Sequence, residues 1–106
     1  MTHDRRSAPR HTVRGRLFQA VAPDGTTLAF GVLDDVSAGG VRLLTARPCA
    51  LGPAVLEPLT PHPLAGRRFP FTIDRSAALP GGCALVGGPF TPPISDAEAR
   101  VLAGLP

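Results

Sequence analysis

The sequence has no tryptophan and no tyrosine, only two cysteines, and no apolar stretch long enough to span a bilayer. Each absence removes a class of function. Without Trp or Tyr, and with five Phe mostly at positions patterned like core, the chain lacks an exposed aromatic platform for stacking single-stranded bases. Cys49 and Cys83 are too few and too separated for a metal-ligand set, and no C-x-x-C or paired Cys/His spacing occurs. They are expected to be reduced packing residues. The basic start is not followed by a secretory apolar segment, so a cytoplasmic location is expected.

Catalytic chemistry is also poorly provided for. His3, His11 and His62 stand in no nucleophile or metal arrangement with an acid partner. Asp34 and Asp35 are adjacent in a strand-like run, so their side chains are expected on opposite faces of a sheet, not together as a dyad. Neither enzyme activity nor a cofactor is expected.

What remains is an ordinary globular composition with an uneven charge. At 106 residues, 43% hydrophobic and 18% charged, the chain suits one domain with a single modest core. Residues 1–16 carry Arg5, Arg6, Arg10, Arg14 and Arg16 against Asp4, whereas the remainder has six Arg against seven acids. Nearly all the basic excess therefore sits in an N-terminal arm. Such an arm is either a solvated tail or a site for anions, nucleic acid included.

The rest of the chain reads as short strands. Residues 13–22 and 26–35 are matched apolar-rich runs separated by Pro23-Asp24-Gly25, a strong turn signal, and predict a β-hairpin. Further strands are expected at 40–45, at 53–60 (weakened by Pro53 and Pro58 and placed at an edge), at 67–75, where Pro70 marks an edge or bulge, and at 82–90. Thirteen Pro and twelve Gly, mostly between these runs, suit an all-β domain with many turns. Ser95-Asp96-Ala97-Glu98 forms a capping box, and Ala99, Val101, Leu102 and Leu105 follow at helical spacing, so one short C-terminal helix is expected to cover an end or edge.

Two motifs carry the chemistry. Arg6-Ser7-Ala8-Pro9-Arg10 offers two forked cations suited to phosphate and to the O6/N7 edge of guanine. Asp35-Val36-Ser37-Ala38-Gly39-Gly40 supplies the complement: an acceptor for base N–H groups, a hydroxyl, and a glycine permitting close backbone approach. The ligand they suggest is a guanine nucleotide. An Arg pair four apart arises about once by chance in this composition, whereas Asp-x-Ser-x-x-Gly is expected on the order of 0.03 times, so the second motif carries most of the weight. The hairpin geometry brings the two together, because the start of its first strand lies beside the end of its second.

Over nearly its whole length the chain resembles the PilZ domain family, small β-barrels that bind cyclic di-GMP. Arg6 and Arg10 match the family's RxxxR, with Arg10 just before the first strand, and Asp35, Ser37 and Gly40 match its (D/N)xSxxG. The resemblance implies a six-stranded antiparallel β-barrel over 13–106, with a flexible basic arm at 1–12 and a short C-terminal α-helix. It implies that Arg6 and Arg10 grip phosphates and the guanine edge, that Asp35 accepts from guanine N1 or N2, and that Ser37 bonds base or phosphate. Gly40 would keep a side chain from obstructing the ligand or the turn. Arg5, a long basic residue directly before the motif, implies a stacked pair of ligands. The function implied is a cyclic di-GMP receptor or adaptor that orders its arm on the ligand and presents a new surface to a protein partner. The alternatives are a PilZ-type barrel acting through protein contacts alone and a small barrel using its arm on nucleic acid.

Overall fold

A computed structural model of the chain describes residues 11–12, 17–59 and 61–104. Period-two alternation builds most of it. In β2 (Leu17–Val21) the residues Phe18 and Ala20 turn inward, in β4 (Gly40–Thr45) Val41, Leu43 and Thr45, and in β6 (Phe69–Ile73) Phe69, Phe71 and Ile73. β3 (Thr27–Val36), β5 (Gly52–Pro58) and β8 (Ala84–Pro89) add Leu33, Val36, Leu56 and Val86 to the same core.

The strands form one antiparallel sheet in the order β6-β5-β2-β3-β4-β8-β7, with β7 at Arg75–Ala78 and the two-residue β1 (His11–Thr12) laid on β3. The sheet curls until its ends nearly meet. Thr91 N donates to Pro70 O at 2.9 Å, Asp74 N donates to Gly87 O at 3.1 Å, and Phe71 bridges Phe90. The result is a nearly closed barrel, which hides most strand edges.

Seven strands, not six, make the main path of this sheet. The run expected at 67–75 ends at Ile73; the chain turns at Asp74 and continues as β7, which leaves β5 and pairs with β8. The sequence Arg75-Ser76-Ala77-Ala78 of β7 gives no alternation because it is mostly exposed. β5 also departs from expectation, lying between β2 and β6 and not at an edge. Its prolines sit at the second and last positions of the strand, where a missing N–H does least harm to the ladder.

The helix α1 (Asp96–Leu102) starts as the capping box requires: Ser95 Oγ accepts from Glu98 N at 3.0 Å, and Ser95 N donates to Glu98 Oε1 at 3.2 Å. Ala99, Leu102 and the C-cap Ala103 join the barrel core, with Ile94 packed beside them. Buried His62 fastens the other end. Its Nδ1 accepts from Leu64 N at 2.9 Å, so the proton sits on Nε2, which donates to Leu102 O at 3.1 Å, while the ring meets Phe18 edge-on. His62 is thus a structural tie between the 61–66 turn and the helix. Among the described residues no helix is long and apolar enough to cross a membrane.

Candidate functional site

The Asp35 motif closes the β3–β4 hairpin. Ser37 N donates to Gly40 O at 2.9 Å, and Gly39 N donates to Ser37 Oγ at 3.2 Å, so the buried serine shapes its own turn. The turn is anchored from below: Phe90 N donates to Gly39 O and Ile94 N donates to Ala38 O, both at 2.9 Å. Gly40 has a structural reason as well, since a Cβ there would stand 2.8 Å from Gly88 O on β8.

A bulge sets the carboxylates. Leu33 pairs with Leu43 and Asp35 with Arg42, so Asp34 is an extra residue in β3. Leu33 and Val36 both turn into the core although they lie three apart, and neither aspartate between them does. Asp34 and Asp35 consequently converge on one guanidinium, contrary to the opposite faces expected of a regular strand. Arg42 Nε donates to Asp34 Oδ2 at 2.6 Å, and its terminal Nη2 donates to Asp35 Oδ2 at 3.2 Å. The Asp35 side chain is 15% exposed, against 39% for Asp34 and 41% for Arg42.

The arm reaches this place through β1. His11 pairs with Val36 and Thr12 with Asp35, so the segment that follows Arg10 in sequence is laddered onto the motif itself. Arg5, Arg6 and Arg10 lie outside the described residues. Of the expected site, the structure therefore places Asp35, Ser37 and Gly40 in one hairpin end, with the arm's continuation beside them. Arg42 was not singled out from the sequence. A hairpin centred on residues 38 and 39 sets position 42 opposite 35, so the register carried the signal.

The cysteines differ. Cys49 packs against the core, where burial raises its thiol pKa above the usual value despite nearby Arg47, while Cys83 is exposed and does not pack as expected. Among the described residues no group of His, Cys, Asp and Glu could hold a metal ion.

No family model matches the sequence, and no curated protein matches it. A solved structure does. The fold is similar to that of the Bacillus subtilis Inhibitor of motility (MotI/DgrA). The two superpose with a TM-score of 0.58 at 16% sequence identity, over 96% of this chain. The chain spans about half of that protein, 49% of its length, so the likeness concerns the barrel and its helix.

Proposed function

We propose that this protein is a PilZ-type receptor for cyclic di-GMP, a non-enzymatic cytoplasmic adaptor that needs no cofactor. The observation that supports the reading is the β1–β3 ladder, which lays His11 and Thr12, the residues that follow Arg10 in sequence, beside Val36 and Asp35 of the Asp35-x-Ser37-x-x-Gly40 motif. Arg6 and Arg10 supply forked donors for phosphates and for guanine O6/N7, Asp35 accepts from guanine N1 or N2, and the Ser37 hydroxyl is free to donate to base or phosphate while it accepts from Gly39 N. Arg5 extends the basic surface for a second, stacked nucleotide. Fixing the arm over the ligand creates a surface absent from the free protein, and a protein partner reads that surface. The fold shared with a motility inhibitor supports an adaptor role.

Isothermal titration of the full chain with cyclic di-GMP, with GTP and cyclic GMP as controls, tests the reading. Selective binding near micromolar affinity, about −8 kcal/mol, with stoichiometry near two and lost in the Arg6→Ala, Arg10→Ala double variant, is the expected result. A stoichiometry near one removes the role of Arg5 alone. No binding by a folded protein overturns the receptor.

One observation favours a second reading, a barrel that acts through protein contacts alone. Leu17, Phe30 and Leu44 are 49%, 53% and 37% exposed on the outer side of neighbouring strands β2, β3 and β4. Interaction with a partner that survives the double arginine variant would select this reading.

A further inference from the structure

Resting on the nucleotide reading above, we infer that Arg42 is a specificity residue of that site, reading guanine O6, and that Asp34 is its positioning residue. The bulge puts an acceptor and a donor side by side: the Asp35 carboxylate and the Arg42 guanidinium meet at 3.2 Å. Guanine presents the matching order along one edge, the N1–H donor next to the O6 acceptor. Adenine presents the reverse, with an acceptor at N1 facing the carboxylate and the N6 amino donor facing the guanidinium. A purine held by Asp35 is therefore sorted by what lies beside it.

The guanidinium is prepared for this contact. Asp34 holds Nε at 2.6 Å, which fixes the plane of the fork, while the remaining terminal nitrogen bonds no described residue. On the far side of Arg42 its register partner on β8 is Gly87, which contributes no side chain to wall off the fork. A Cβ on Gly87 would collide with Val41 O, so the backbone packing itself keeps any side chain from that position. Asp34, the more exposed of the two carboxylates, holds Nε and so orients the cation.

The test is titration of the full chain with cyclic di-GMP and, in parallel, cyclic di-AMP. Arg42→Gln is expected to weaken cyclic di-GMP and not cyclic di-AMP, lowering the preference about tenfold or more. Asp34→Ala, which keeps Arg42 and removes the acceptor of its Nε, is expected to lower the preference by a smaller factor; Arg42→Lys, which keeps the charge and loses the fork, falls between. The Arg6→Ala, Arg10→Ala variant, which loses phosphate contacts as well as contacts to the guanine edge, weakens binding of both cyclic dinucleotides. A preference unchanged in folded Arg42→Gln, while the double arginine variant still loses binding, overturns this inference and leaves the receptor intact. Should Arg42→Gln fail to fold, an unchanged preference in folded Asp34→Ala overturns it equally. Absence of binding by the folded wild type overturns both.

Discussion

The two turns that bound β3 differ in what they are tied to. At its start, Pro23, Asp24 and Gly25 are exposed, and the turn is held by its own bonds: Ala22 N to Thr26 O at 2.7 Å, Gly25 N to Ala22 O at 2.9 Å, and Thr26 N to Asp24 Oδ1 at 2.9 Å. Gly25 has φ +95° and open space where a Cβ would go. At its end, Ser37 is buried, Gly40 rests on β8, and the carbonyls of Ala38 and Gly39 hold the segment leading to α1. The first turn reverses the chain. The second also fixes the position of Asp35, Arg42 and β1 relative to the rest of the barrel, and a recognition site needs that fixity.

Substitutions can break this contrast. The largest effect is expected for Gly40→Ala, whose Cβ would press on the backbone of Gly88; a loss of about 2–3 kcal/mol by urea denaturation follows from overpacking against an element that cannot yield locally. Gly25→Ala meets no atoms and bears only the strain of a positive φ, about 1–2 kcal/mol. Equal losses at the two glycines would show that the second turn is no better anchored than the first. Ser37→Ala removes the acceptor of Gly39 N and is expected to cost about 1 kcal/mol, again by denaturation.

The smallest effect concerns Asp24. The Thr26 N–H holds its carboxyl below the usual range, so its folded pKa is depressed: its contribution is present above the unfolded value and fades as pH falls through the folded one. Glu98, lowered mainly by Ser95 N–H and also by Arg67, behaves in the same sense. Comparing acid denaturation of Asp24→Asn with wild type should show curves that differ at neutral pH and converge under acid. A difference that grows under acid would contradict the assignment.

Most of the barrel was legible because burial follows period two. Phe69, Phe71 and Ile73 are core in both the pattern and the structure, and Ser95 caps the helix as its spacing with Glu98 requires. The misplaced parts had physical causes. β7 buries too little to leave a pattern, and β5 carries prolines that an interior strand tolerates only at its ends. The bulge was visible in Leu33-Asp34-Asp35-Val36, where two apolar residues three apart break the alternation; read as a regular strand, it separates the aspartates that the structure brings together. Of the candidate site, the placing of Asp35, Ser37 and Gly40 in one hairpin end was legible from the spacing, while Arg5, Arg6 and Arg10 lie outside the described residues. The backbone reason for Gly40 was not, because it lies in Gly88, far along the chain.

The measurement that tests the central claim most directly is a two-dimensional amide NMR titration of the full chain with cyclic di-GMP. The account predicts shifts concentrated at His11, Thr12 and residues 35–40, with residues 22–26 unmoved, because the proposed site lies where β1 meets the second turn. No shifts at saturating ligand, or shifts centred on the outer row of Leu17, Phe30 and Leu44, would contradict it.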